Sequence, residues 1–255
     1  MLNGDTYKRS HRIITEGEGT LFDIHSHILP GVDDGASDEE ETLEMLKMSY
    51  AEGIRRIMTT PHFHVDLKKE IFRDWDRAFR VTERLAKEIA PDFRIYRGAE
   101  VFFHSKVIQM LEDGYPITLN NTYYVLVEFP ENVEFTYLVA SLLQIQYAGY
   151  YPILAHVERY DALQKEERII ELCEHGVLLQ ANSSAVIGKD GPRLKRHIMK
   201  LIQKDYIHVV GTDTHGVNFR PPLMAQCLEI LDKKVGEEQR DLLCRKHFFD
   251  IIKGE

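Results

Sequence analysis

The sequence predicts an α/β barrel of parallel strands wrapped by helices, and three observations predict it. Short β-branched or aromatic runs alternate with amphipathic stretches along the whole chain. The runs are nearly continuous in apolar residues, as strands covered by helices on both faces must be. Polar residues of metal-binding type stand at the ends of six of the seven runs. That placement favours a barrel, whose strand ends converge on one mouth, over an open sheet.

The first nineteen residues, MLNGDTYKRSHRIITEGEG, are polar and read as an arm (1–19); residues 20–255 read as a single domain. TLFDIHSH is the first strand. Ser37 and Glu40 then make a capping box ahead of Leu43, Leu46 and Tyr50, and Gly53 ends that helix. RRIMTTPH is the second strand, followed by a helix from Leu67 to Ile89 that buries Ile71, Trp75, Phe79, Thr82 and Leu85. FRIYRGAEV and YYVLVEF are strands, then Phe135 to Ala148 a helix. YPILAHVE leads into a helix from Asp161 to Glu174, VLLQANSS into one from Leu194 to Lys204. HVVGTDTH is the seventh strand; helices over Leu223 to Val235 and from Glu237 towards Ile252 close the chain.

With 44% hydrophobic residues, the chain can bury one large core. A net charge of -9 without a long basic run argues against nucleic acid or an anionic membrane surface as partner. Cys173, Cys227 and Cys244 show no C-x-x-C pairing and read as reduced thiols of a cytoplasmic protein. Neither a signal-type apolar segment nor a run approaching the roughly 18 residues of a membrane span is present, so neither export nor membrane insertion is expected.

The strand ends carry the chemistry: His25 and His27, His62, Glu100, Glu128, His156, then Asp213 and His215. Residues i and i+2 of a strand point the same way, about 6.6 Å apart, so each i, i+2 pair can aim two donors at one cluster. Imidazoles and carboxylates without thiolates suit Mn, Fe or Zn. A bridging carboxylate such as Glu100 allows two or three ions about 3.5 to 4 Å apart, close enough to clamp a phosphoryl group and activate a water. Asp34, in the GVDDG turn, can fold back over the mouth as a further carboxylate ligand.

A lone His-x-His more often packs than ligates, and Glu100 or His156 alone more often serves a core. The conjunction decides, because buried carboxylates and imidazoles are costly unless paired or metal-bound. His11, His104, His175, His197, His208 and His247 read as surface groups, and His64, beyond its strand, as a loop residue. Asp23 reads as orienting an imidazole from the His25 face. Arg159 and Arg220 sit at the rim, where a guanidinium grips phosphate oxygens bidentately. The alternative for Arg159 is a salt bridge to Glu158 or Asp161, and Tyr160 reads as packing.

The set DIHSHILPGVDDG, TTPH, GAEV, VEFP, AHVERYDAL, QANSS and GTDTHGVNFRPP resembles the bacterial manganese-dependent protein-tyrosine phosphatases of the polymerase and histidinol phosphatase (PHP) superfamily, found with capsule and exopolysaccharide systems. The resemblance runs from about Leu21 to Ile252. It implies a distorted seven-stranded (β/α) TIM-like barrel and a trinuclear site, with His25, His27, Asp34, His62, Glu100, Glu128, His156, Asp213 and His215 as ligands and Arg159 and Arg220 as active-site arginines. Gln180 to Ser184 fall on a supporting strand end. The arm is longer than in relatives, and Phe63-His64 lies where relatives vary.

The chemistry implied is in-line attack on phosphorus by a metal-bridging hydroxide, with no phosphoenzyme. Consistently, no cysteine is followed by an arginine six residues on. The implied substrate is a phosphotyrosine protein, the tyrosine-rich tail of a cognate bacterial tyrosine kinase; homo-oligomers are known among relatives. The rivals are a histidinol-phosphate-type phosphatase, a nuclease or polymerase-editing domain, and a silent scaffold that binds a kinase tail.

Overall fold

The computed structural model describes residues 20–253; the expected arm, 1–19, lies outside the described residues. The fold is mixed α/β, and every strand pairing is parallel. One sheet has the order β1 (Leu21–Ser26), β2 (Ile54–Thr59), β4 (Arg94–Arg97). The other runs β3 (His62–Phe63), β5 (Glu100–Phe102), β6 (Tyr124–Glu128), β7 (Tyr151–Leu154), β8 (Leu178–Asn182), β9 (Val209–Gly211).

Seven strands were expected and the described residues form nine, because two predicted runs are interrupted. The second breaks at Thr60-Pro61 into β2 and β3, where proline offers no N–H to a ladder. The third breaks at Gly98-Ala99 into β4 and β5. The breaks are level: β2 pairs with β4 before them, β3 with β5 after them. The two sheets also meet at a parallel bridge between Ser26 and Thr214. There the His27 N–H donates to Thr214 O and the Asp213 N–H to His25 O, each at 2.9 Å.

Helix α1 (Glu39–Ala51) is capped by Asp38, whose carboxylate accepts from the Glu41 N–H at 3.0 Å. The expected Ser37/Glu40 box thus sits one residue early: Glu41 reaches back to Ser37 N and Oγ. Helix α2 (Ile71–Ile89) starts four residues after the predicted Leu67, whose N–H bonds back to His64 O in a preceding turn. Its buried stripe includes Trp75, Phe79, Thr82 and Leu85, as the spacing requires, while Ile71 is only partly buried.

Helix α3 (Lys106–Glu112) went unpredicted; α4 (Phe135–Tyr147) did not. The expected helix from Asp161 divides into a 3₁₀ turn, Asp161–Gln164, and α5 (Glu166–Glu174), separated by extended Lys165. Helix α6 (Ser183–Ile187), too short for periodicity to register, precedes α7 (Pro192–Ile202) and α8 (Ala225–Val235). The last expected helix is α9 (Glu237–Asp241), a π-helical turn at Leu242–Lys246, and α10 (His247–Lys253).

Two apolar layers position the site. The larger packs the helices on the outer strand faces, through Ile57, Val101, Val127, Leu154, Leu179 and Val210. The smaller joins Phe22, Ile24, Met58, Leu126, Ile153 and Val209 to Phe248 and Ile251 of α10, with the Phe22 and Phe248 rings stacked 4.3 Å apart. Helix α10 therefore closes the strand end away from His25 and His27, leaving the carboxyl ends for polar side chains. Among the described residues, no helix is long and apolar enough to cross a membrane.

Candidate metal centre

All nine predicted ligands meet at the strand carboxyl ends. Glu100 is the hub: Oε2 lies 3.1 Å from His25 Nε2, 3.2 Å from His27 Nε2 and 3.1 Å from His62 Nδ1, and Oε1 lies 2.7 Å from His156 Nε2. The ladder explains this in part, since His62 and Glu100 are register partners and face the same way. Glu128, at the end of β6, lies 3.1 Å from His62 and 3.6 Å from His156. Asp213 Oδ1 lies 3.4 to 3.6 Å from His25, His27 and His215. Asp34 reaches His62 and His215 at 3.3 and 3.5 Å with its own side chain 68% exposed, so it closes the outer side.

The donor set fits divalent cations by its hydrogen bonding. His25 Nδ1 faces Gln180 Oε1 at 3.1 Å, His27 Nδ1 faces Asp33 Oδ2 at 2.7 Å, and His215 Nδ1 faces Asp213 O at 2.8 Å. Each partner oxygen only accepts, so each Nδ1 carries a proton and each ring turns its Nε2 inward. The His25 and His27 Nε2 atoms then lie 3.1 Å apart, both beside the Glu100 carboxylate. A divalent cation ligated by both rings fits that arrangement. Glu100 Oε2 and His62 Nδ1, 3.1 Å apart, make no well-aligned hydrogen bond with each other or any other group, as atoms aimed at a common third point would not. Three overlapping groups, His27/Asp34/His62/His215, His25/His27/Glu100/Asp213 and His62/Glu100/Glu128, each gather ligand atoms within 4.8 Å.

The carboxylates and imidazoles of the cluster hold one another charged: burial would lower His27, but Asp33 and Glu100 raise it well above its ordinary range. Burial would raise Glu100, but His25, His156 and His27 outweigh it and hold the carboxyl well below its ordinary range. Burial would lower His156, but Glu100 and Glu128 raise it to about 9. His215 is pushed down to about 4, by burial and then by the charge of His27.

Local backbone places these groups at some cost. Three candidate site residues, His156, Asp213 and Arg220, have positive φ, at 32°, 53° and 48°. Strain of this kind persists where surrounding structure enforces it, and it collects at functional sites. Two glycines admit the imidazoles: a Cβ on Gly35 would lie 1.9 Å from His27 O, and one on Gly211 would lie 2.8 Å from His25 Cβ.

Both arginines reach the cluster, through one atom. Asp213 Oδ2 accepts from Arg159 Nη2, from Asn182 Nδ2 at 2.9 Å and from Arg220 Nη1 at 3.5 Å. Arg159 therefore pairs with a predicted ligand and not, by any hydrogen bond, with Glu158 or Asp161. Glu158 is buried instead and accepts from the Asn182 N–H.

Other sequence expectations need correction. Asp23 hydrogen-bonds no imidazole: it accepts from the Thr212 N–H at 2.8 Å, from the Thr212 hydroxyl and from the His25 N–H at 3.3 Å, tying β1 to the segment that follows β9. The β1 register shifts between Asp23 and Ser26, which breaks the period of two behind the shared-face expectation. His197 and His208 are partly buried: His197 Nε2 bonds Leu163 O, and His208 Nδ1 accepts from the Leu179 N–H. His64 lies beyond β3, as expected, stacked 5.0 Å from Phe102. Tyr160 is fully buried, its hydroxyl accepting from the Phe129 N–H.

Asp33 was missed. Its carboxylate accepts from the Gly35 and His62 N–H groups and orients His27. The adjacent Asp-Asp pair was its only sequence signal, and Asp34 was taken from it. Gln180, expected only to support, bridges two predicted ligands by facing His25 Nδ1 and accepting from the His156 N–H at 2.8 Å.

Fold and donor set together define the class: a parallel α/β protein with a multidentate site for divalent cations at its strand ends. The chain belongs to the capsular polysaccharide synthesis CpsB/CapC family, whose model matches residues 21–253. It is 34% identical to the tyrosine-protein phosphatase CpsB of Streptococcus pneumoniae over 86% of this chain and 93% of that one. It is 33% identical to the tyrosine-protein phosphatase YwqE of Bacillus subtilis over 86% of each. A crystal structure from work on YwqE and CpsB, described as unique metal-dependent tyrosine phosphatases, superimposes with a TM-score of 0.83 at 31% identity, covering 92% of this chain and 95% of that one. Dihydropyrimidinase from Brevibacillus agri shares the fold alone, with a TM-score of 0.59 at 12% identity over 92% of this chain and 71% of that one.

Proposed function

We propose that the protein is a metal-dependent protein-tyrosine phosphatase. The observation that carries this reading is the convergence of inward-facing acceptor atoms with two arginines on Asp213. Its relatives bear the name tyrosine-protein phosphatase, which supports the substrate class.

His25, His27, Asp34, His62, Glu100, Glu128, His156, Asp213 and His215 hold two or three divalent ions, of which Mn suits this set of nitrogen and oxygen donors. When bound, such ions polarise phosphoryl oxygens and lower the pKa of bound water towards 7. The chain's own residues do the rest. Asp33 and Gln180 fix the tautomers of His27 and His25, so that the pocket is ordered before substrate arrives. Asp213 divides its oxygens, Oδ1 to the imidazoles and Oδ2 to the guanidiniums, and so holds Arg159 and Arg220 beside the place where an anion must sit. There they grip the equatorial phosphoryl oxygens as charge develops on them. Asn182 shares Asp213 Oδ2 and keeps that carboxylate turned as the arginines exchange it for phosphate.

The level breaks in the two sheets and the Ser26–Thr214 bridge support reading the fold as a distorted seven-stranded barrel. The proposed substrate is a flexible tyrosine-rich tail of a cognate bacterial tyrosine kinase in the cytoplasm, with a homo-oligomer as the working assembly. Comparing kcat/KM on a phosphotyrosine peptide and on histidinol phosphate tests the reading: a large preference for the peptide is expected, and a large preference for histidinol phosphate overturns it.

A further inference from the structure

Phe219 is 64% exposed, more open than any other exposed large hydrophobic side chain among the described residues except Tyr147, and the only phenylalanine of the six that are exposed. It stands at the mouth of the site. The Arg220 guanidinium carbon lies 5.0 Å from the centre of its ring, and Arg220 Nη1 in turn lies 3.5 Å from Asp213 Oδ2.

The segment that presents the ring is fixed at both ends. Arg220 has φ 48°, its carbonyl accepts from the N–H of His215 at 3.1 Å, and Pro221-Pro222 follow. Beyond them the N–H groups of Met224 and Ala225 both donate to the Glu52 carboxylate, at 3.0 and 2.7 Å. An apolar ring on such a support, covered on one side by a cation and open on the other, gains by receiving a second flat apolar surface. Phe102, near the ligands, is already stacked on His64.

We propose that Phe219 receives the aryl ring of the substrate and thereby sets a preference for phosphotyrosine over alkyl phosphate esters. The inference rests on the phosphatase reading above. In an aryl phosphate one oxygen separates ring from phosphorus, so when Arg220 grips the phosphoryl group the ring lies beside whatever flanks Arg220. Phe219 is that neighbour. A serine or threonine ester has no flat face to lay against it.

Phenylphosphonate and methylphosphonate, which share the anion and differ in the ring, provide the test on the metal-loaded protein. In Phe219→Ala, affinity for phenylphosphonate falls about three- to tenfold while that for methylphosphonate is unchanged, and Phe219→Trp keeps the wild-type ratio. On a phosphotyrosine peptide the same alanine variant raises KM and leaves kcat unchanged. An equal loss on both phosphonates marks a structural role and overturns the assignment. So does an unchanged ratio, or a ratio that collapses only in His64→Ala. A wild type inert on phosphotyrosine overturns the functional reading itself, whereas an active wild type with an indifferent Phe219→Ala overturns this assignment alone.

Discussion

Arg159 donates from Nη2 to Asp213 Oδ2, while Asp213 Oδ1 lies 3.4 Å from His25 Nε2. One carboxylate thus links the group proposed to grip phosphate to the groups proposed to hold cations. Burial raises an isolated buried carboxyl, but here His25 and Arg159 outweigh it and keep Asp213 ionised.

Replacing Arg159 by alanine removes one grip on the developing charge and leaves the imidazoles in place. Turnover on phosphotyrosine is expected to fall about 10²-fold or more, with bound metal unchanged. Steady-state kinetics alongside elemental analysis checks both halves, and wild-type turnover in the variant takes Arg159 out of the mechanism.

Asp33 acts through His27, fixing its proton on Nδ1 from 2.7 Å. Asp33→Ala is expected to weaken cation affinity about 10- to 100-fold. Titration of the chelated variant with Mn is the measurement, and unchanged affinity would show that the ring needs no such anchor.

Gly35→Ala tests the backbone on which His27 rests. The added Cβ meets His27 O at 1.9 Å, with no flexible side chain to yield. A loss of about 1 to 3 kcal/mol of stability, together with reduced metal content, is expected from denaturant unfolding and elemental analysis.

His208 makes stability depend on pH away from the site. Burial, and then the charge of His247, push its pKa down to about 4, and its Nδ1 accepts a hydrogen bond that protonation would break. The unfolded chain, with a histidine pKa near 6.5, binds the proton first, so this contribution is intact above about pH 6.5 and is lost as pH falls towards 4. Urea midpoints of His208→Gln, measured across that window, are expected to fall less steeply than those of the wild type.

Much of the site was legible because its residues stand at or just beyond the ends of apolar runs, although Asp213, at φ 53°, and His215 lie past β9 and not on a strand. The pairs His25/His27 and Asp213/His215 were found from i, i+2 spacing, and Glu100 and Glu128 from their places at the ends of apolar runs. Asp23 failed where the β1 register shifts and the period of two no longer holds. Asp33 was hidden beside Asp34 because nothing local distinguishes the carboxylate that turns inward to His27 from the one that closes the mouth. The nine strands read as seven because Pro61 and Gly98 interrupt pairing without interrupting the apolar pattern. His208 looked like a surface group, since only the tertiary contacts with Leu179 and His247 bury it.

Central to all of this is the proposal that nine nitrogen- and oxygen-bearing side chains close around divalent cations that the reaction requires. Phosphotyrosine hydrolysis by the chelated protein, before and after Mn is added back, tests it most directly. The expected result is an inert chelated protein that regains turnover as two or three equivalents of Mn bind. Full turnover after chelation, or a protein that binds no divalent cation, would contradict it.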